Sequence, residues 1–440
     1  MNGLIPYEYS DKQISPWGGM RLIKEFYDRI GLFDKLRELP FSIPGSAAGV
    51  KHQEIIESFM MSVILGAGNC NSASQISNDH VLKEIFQWKK GMPSQSTLSR
   101  FFPKYSHELS DEIFSDLFTW WFTQMGQKNL TLDVDSTVIT RFGNQEGAEK
   151  GYNPKYHGRK SHHPIIAFVA ETKMIANAWM RTGDSASATE FKEFLDNTFT
   201  MIPRENIGLL RGDSGFSGNN VLSDLEHRQL DYIIAMPMKA GLVDAILSPR
   251  KWVASEIQGV DLCSFMYQAK SWGKSRRIVV VRKDVEKLPS CGGKTLFTHE
   301  DDYLRYRYSA YVTTSELSDE LIWVTYKHRA EAENQIKELK YDYAMEGFCF
   351  KEIQATEFAF RWVMMAYNLM SYVRNKIAVS KVKHTLSTLK FRCIAIGAYL
   401  VSSGRQKKLI LAVSGSKRDY IEGLFEKIRR FDPSPKLSTA

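Results

Sequence analysis

From Leu130 to Ala235 the hydrophobic period changes repeatedly between that of a strand and that of a helix, and this alternation confines the segment to a mixed α/β sheet. Leu130 to Asp135 alternates as a short strand, and Pro164 to Val169 and Met174 to Met180 form two more. Ala188 to Thr200 reads as an amphipathic helix carrying Phe191, Phe194, Leu195 and Phe199. Ile207 to Leu210 is a buried strand that runs straight into Arg211-Gly212-Asp213; a helix over Asn219 to Leu230 and a strand at Tyr232 to Ala235 follow.

The flanks have a different character. Before residue 126 the sequence is mostly helical: Met20 to Leu39, Glu54 to Leu65, Asp79 to Trp88, and a run from Ser96 to Phe102. Small polar residues and Arg100 in the last run suit a recognition helix in a DNA groove, or equally a capped helix with a solvated arginine. Met238 to Glu320 is interrupted by Pro249, Pro289, Gly292 and Gly293, with β-rich pieces at Arg277 to Arg282 and Tyr306 to Thr313. Long helices return at Thr325 to Tyr341, Ala355 to Ile377 and Arg418 to Phe431, and the tail after Asp432 reads as disordered.

These changes predict five segments: a helical region that is a candidate for DNA binding (1–125), the first part of an α/β core (126–237), a β-rich insertion domain (238–320), the second part of the core (321–380) and a helical C-terminal region (381–440). The Phe358 to Val373 stretch is interrupted by Arg361 and Asn368 and is shorter than a bilayer span of ~30 Å requires. The start lacks a basic, then apolar, export signal. Five cysteines without zinc-finger or redox spacing fit reduced thiols of a cytosolic protein. Fifty-eight Lys and Arg against 50 Asp and Glu give a net charge of +8, whose sign favours a polyanionic partner.

Two acidic residues stand at or just past strand ends: Asp135 in Leu-Asp-Val-Asp-Ser-Thr and Asp213 in Arg-Gly-Asp-Ser-Gly-Phe. Such a charge is costly if buried without a partner or a metal. Residues two apart on a strand share a face, so Asp133 and Asp135 are both candidates for the first position. Further on, Tyr326, Arg329, Glu333 and Lys340 follow offsets of 3, 7 and 14. On one continuous helix, at about 100° per residue, they share an arc of roughly 60°.

Tyr-x2-Arg-x3-Glu-x6-Lys, with Asp-Ser-Thr and Gly-Asp-Ser-Gly-Phe upstream, resembles the signature of bacterial insertion-sequence DDE transposases. The loop from Gln145 to Pro164 resembles the hallmark of one of their subgroups. The likeness covers roughly Leu130 to Ala366, and a β insertion in this family fills the 120 residues between Asp213 and Glu333. It implies an RNase H-like mixed sheet with helices, interrupted by the β-rich insertion and flanked by helical N- and C-terminal regions. It also implies Asp135, Asp213 and Glu333 as catalytic ligands of two Mg²⁺ ions, with Mn²⁺ as a substitute. Hard cations prefer carboxylate and water oxygens and leave room for phosphate. Tyr326, Arg329 and Lys340 would grip DNA phosphates.

The activity implied is cut-and-paste excision and integration: metal-dependent hydrolysis at terminal inverted repeats, then strand transfer into target DNA. The implied assembly is a homodimer in a synaptic complex on double-stranded DNA, in the bacterial cytoplasm near the nucleoid. Lys270 to Lys283 holds six basic residues and no acidic one, including Lys274, Arg276 and Arg277. The Gln145 to Pro164 loop adds Arg159 and Lys160. Both clusters are expected along DNA. His162 and His163 read as loop residues near DNA. In related transposases a flipped base stacks on an aromatic residue; Trp252, Trp272 and Trp323 are candidates, with a core role open for each. A nuclease of the same fold and a repressor derived from a transposase are the competing readings.

Overall fold

The protein is described by a computed structural model covering residues 5–41, 49–76, 78–88, 93–284, 306–382, 384–404 and 406–433. It divides into two compact units, Met1–Leu117 with Glu338–Ala440, and Phe118–Lys337. Cys291 and the end of the tail lie outside the described residues; Cys70, Cys263, Cys349 and Cys393 are free thiols.

In the first unit, helix Ile353–Lys376 is buried from Ala355 to Arg374. Phe358 stacks on Tyr105 with ring centroids 4.2 Å apart, and Phe114 and Trp362 fill the same layer. The polar residues that interrupt this helix have partners inside the unit: Arg361 pairs with Asp111 and Glu357, and Arg374 with Glu338 at 2.7 Å. A helix apolar all round is here a core helix. No helix among the described residues is long and apolar enough to cross a membrane.

The second unit is built on strands numbered in chain order: β1 (Leu130–Ser136), β2 (Ile139–Thr140), β3 (Glu149–Lys150), β4 (Lys160–His162), β5 (Ile165–Val169), β6 (Met174–Trp179), β7 (Ile207–Gly212), β8 (Asp231–Ala235), β9 (Val253–Ala254), β10 (Val260–Tyr267), β11 (Arg276–Asp284) and β12 (Tyr306–Thr313). Nine of them form one mixed sheet in the order β6-β5-β1-β7-β8-β12-β11-β10-β9. β1 pairs parallel with β7, and β7 with β8; the other ladders are antiparallel. The strands of the expected insertion domain therefore extend the core sheet through the β12–β8 ladder, within the same compact unit. Helix Asp319–Lys327 lies on this extension, where Ile322 and Trp323 pack with Ile233, Val279, Val281 and Tyr311.

Three sequence expectations need correction. Met20 to Leu39 is two helices, Met20–Arg29 and Leu32–Glu38, because Gly31 adopts φ +74 between them. The C-terminal region is not all helical: β13 (Ala398–Ser403) and β14 (Gln406–Leu411) form an antiparallel hairpin before helix Gly415–Arg430. The run from Thr325 to Tyr341 is broken at His328 and Arg329 into Asp319–Lys327 and Ala330–Tyr341. The turn is tightened by three-residue hydrogen bonds from Arg329 N–H to the Tyr326 carbonyl and from Ala332 N–H to the Arg329 carbonyl.

Candidate active site

The parallel β1–β7 ladder sets Asp133 opposite Arg211 and Val134 opposite Gly212, so Asp135 and Asp213 follow side by side at the ends of the two strands. Asp133 and Asp135 share a face, yet their surroundings differ. Arg211 binds Asp133 bidentately, Nε to Oδ1 at 2.6 Å and Nη2 to Oδ2 at 2.7 Å, with both side chains buried. Its Nη1 donates to the Thr325 carbonyl, in the last turn of Asp319–Lys327, where carbonyls have no helical partner. Arg211 thus ties two strands to the end of the helix that leads into Arg329. Sequence reasoning missed it, although Arg-x-Asp beside Asp-x-Asp on neighbouring strands is the pattern that would reveal it.

Asp135 meets Arg329 with Nη2 3.1 Å from Oδ2, and its Oδ1 accepts the Ser136 N–H at 2.9 Å. Burial pushes its carboxyl up to about 6; Asp213 and Glu333 add to the rise, and Arg329 and the Ser136 N–H oppose it. Burial pulls Arg329 down, but Asp135, Tyr326 and Asp213 hold it above its ordinary value. The same guanidinium lies 3.8 Å from Glu333, whose carboxylate is exposed. The broken helix makes this possible, because the turn delivers Arg329 inward to Asp135 while Glu333 stays outside.

Asp213 caps the short turn Ser214–Phe216, accepting the Gly215 N–H at 2.9 Å. Gly215 is required there: a Cβ would sit 2.7 Å from the Ser187 side chain. Ser187 in turn receives a hydrogen bond from Ser136 at 3.0 Å, so the two acidic turns share one support.

Of the other expected site residues, Tyr326 stays within electrostatic reach of Arg329, Asp213 and Asp135, and the rest fall elsewhere. The ring of Tyr326 packs on Tyr311, centroids 4.4 Å apart, and burial pushes its hydroxyl up to about 12. The boundary between the units falls within helix Ala330–Tyr341, so Lys340 belongs to the first unit, where it pairs with Glu346 at 3.0 Å. Arg276 is a correction: it is buried, and its guanidinium is taken up by Glu226, Asn219 and Ser223, leaving no face for a phosphate. Arg277 binds Asp319 and two carbonyls, and Lys274 pairs with Glu226 while staying exposed.

Arg159 is exposed and Lys160 half-buried in β4. Arg100 is exposed on helix Gln95–Phe101, returning its Nε–H to the Ser96 carbonyl; Ser94 caps that helix through the Thr97 N–H. His162 and His163 are buried, contrary to a DNA-facing role. His162 accepts from Arg141 Nε, so its other nitrogen donates to the Glu146 carbonyl, and burial pushes its pKa down to about 4.

Two acidic ends of adjacent interior strands, answered by an arginine and a glutamate from a broken helix, define a candidate hydrolytic or group-transfer centre. The family profile described as Transposase DDE domain group 1 matches residues 5–433, and the chain belongs to that family of DDE transposases. No curated protein matches it. Among solved structures, a cryo-EM structure of the piggyBac transposase synaptic complex with hairpin DNA aligns over 98% of this chain and 86% of that chain, at 9% identity and a TM-score of 0.43.

Proposed function

We propose that this transposase performs cut-and-paste transposition, cleaving DNA at its element's terminal inverted repeats and joining the freed 3′ ends to target DNA. The catalytic unit in this reading is an RNase H-like sheet with a β extension, acting as a homodimer on paired ends. The observation that carries the reading is the pair of carboxylates, Asp135 and Asp213, on adjacent parallel strand ends, coupled electrostatically to Glu333 and bounded by Arg329.

Asp135, Asp213 and Glu333 are the residues that would hold two Mg²⁺ ions. Their chemistry fits: all are hard oxygen donors, and the burial and mutual repulsion that raise Asp135 would be offset by a cation. Among the described residues, no three acidic, histidine or cysteine side chains stand close enough to hold an ion without adjustment. Bound divalent ions supply stabilisation of charge on the attacking and leaving oxygens of a phosphodiester.

The chain's own residues do the rest. Arg329 is buried beside Asp135, and its Nε, which has no hydrogen-bond partner among the described residues, is the donor that would turn to a phosphate. Arg211 and Asp133 hold the strand end and the helix junction in register, and the Ser136–Ser187 contact fixes the Asp135 turn against the Asp213 turn. No protein nucleophile is needed, since water makes the first cut and the 3′-hydroxyl attacks next.

The test is Mg²⁺-dependent cleavage of labelled DNA carrying the flanking inverted repeat. Cutting at the repeat boundary with a joined or hairpin product supports the proposal when Glu333→Gln and Asp213→Asn abolish it. Cutting without joining indicates a nuclease; binding without cutting indicates a regulator.

A further inference from the structure

The small sheet β2-β4-β3 grows out of the strand that carries Asp135: only Thr137 and Val138 separate β1 from β2. The loops on either side of β3, residues 141–148 and 151–159, leave Phe142, Tyr152 and Tyr156 exposed by 78%, 73% and 42%. Lys150, Lys155 and Arg159 are exposed among them. The rings of Phe142 and Tyr156 meet edge to face at 6.2 Å, and the Lys155 ammonium lies 5.2 Å from the Tyr156 ring centroid.

Firm packing underlies these rings. Asn153 is buried, donates to Thr140 Oγ1 at 3.0 Å and accepts the Tyr156 N–H at 2.9 Å. Arg141 and His162 brace the strands, and Gly151 lies so close to Gly183 that a Cβ would fall 1.9 Å from its carbonyl oxygen. The tryptophans considered from the sequence are placed differently. Trp272 and Trp323 are buried, and Trp252 is half-buried with Arg282 4.3 Å from its ring centroid.

We infer that this lobe is a stacking platform for unpaired DNA bases next to the strand end bearing Asp135. Aromatic faces interleaved with cations are the two elements of single-strand binding: rings stack any base, and the ammonium and guanidinium groups follow the phosphates. A base stacked within a duplex cannot offer its face, so the platform selects DNA that has been opened. The role in opened element ends rests on the transposition reading, whereas the binding itself is measured apart from it.

The test uses the full chain without divalent metal and a short single-stranded oligodeoxynucleotide containing 2-aminopurine, read by anisotropy and base fluorescence. Wild type is expected to bind and to quench the 2-aminopurine. The triple variant Phe142→Ala, Tyr152→Ala, Tyr156→Ala loses the quench and weakens binding by at least about tenfold. Tyr152→Phe with Tyr156→Phe keeps both, because stacking needs the ring and not the hydroxyl. The melting temperature of the triple variant stays unchanged.

The inference is overturned if wild type neither binds nor quenches, if the triple variant binds like wild type, or if it melts early and so assigns the rings to folding. Repeat-boundary cleavage is scored separately. Stacking without cleavage removes the transposition reading and leaves the platform; cleavage without stacking does the reverse.

Discussion

Asp133 and Asp135 stand two residues apart on one face of β1, and each meets an arginine, yet the two pairs do different work. The Asp133–Arg211 pair is sealed: two short bonds, both partners buried, and a third bond onward to a helix carbonyl. The Asp135–Arg329 pair is looser: a contact of 3.1 Å, with burial first, then Asp213 and the exposed Glu333, raising the aspartate against it. Burial alone does not make a carboxylate structural. What separates the two is whether the arginine satisfies both oxygens, as at Asp133, or reaches only one while a backbone N–H takes the other, as at Asp135. The comparison favours Asp135 over Asp133 as the reactive residue, a choice the sequence alone left open.

The largest effect that sharpens this contrast is on chemistry. Asp135→Asn, Asp213→Asn and Glu333→Gln should each lower DNA cleavage on the order of 10³-fold or more in a single-turnover assay, while the protein stays folded. Next comes stability at the sealed pair. Asp133→Ala leaves Arg211 buried without its partner and should cost about 3–5 kcal/mol in denaturant unfolding. A loss below about 1 kcal/mol would break the comparison.

A third buried carboxylate gives a pH test. Glu57 forms no ion pair among the described residues; the Trp88 indole N–H donates to it at 2.6 Å, and burial pushes it up to about 7 against the opposing effects of that bond and of Lys24. Its folded-state pKa lies above the ordinary value of 4.5. Its stabilising share is therefore complete below that value and is lost as pH rises through about 7. Glu57→Gln should flatten the fall in stability across that window, by roughly 3 kcal/mol in all. The smallest effect is expected at Lys274, which is exposed and whose partner Glu226 keeps its bonds to Arg276: Lys274→Ala should change stability by less than about 1 kcal/mol.

Much of the sheet was legible because strands announce themselves locally. Tyr306–Thr313 matches its expected limits, and Leu130 to Asp135 and Tyr232 to Ala235 are each off by one residue. What depends on non-local partners was not legible. Arg211 finds Asp133 across 78 positions through a parallel register. The break at His328–Arg329 follows from the arginine's turn toward Asp135, and nothing in Tyr326 to Lys340 marks it, since that stretch has no proline or glycine. Arg276 looked like a free cation within a basic run because its partner, Glu226, lies on another element. The β13–β14 hairpin is hidden because its apolar runs, Tyr399 to Val401 and Leu409 to Ala412, are too short for their period to separate strand from helix.

The most direct test of the central claim is to assay Asp133→Asn and Asp135→Asn in parallel, each for thermal unfolding and for Mg²⁺-dependent cleavage of repeat-end DNA. The account predicts that Asp135→Asn melts like wild type and does not cut, and that Asp133→Asn melts early while its folded fraction still cuts. If Asp133→Asn is stable and inactive while Asp135→Asn still cuts, the roles assigned to the two aspartates are reversed.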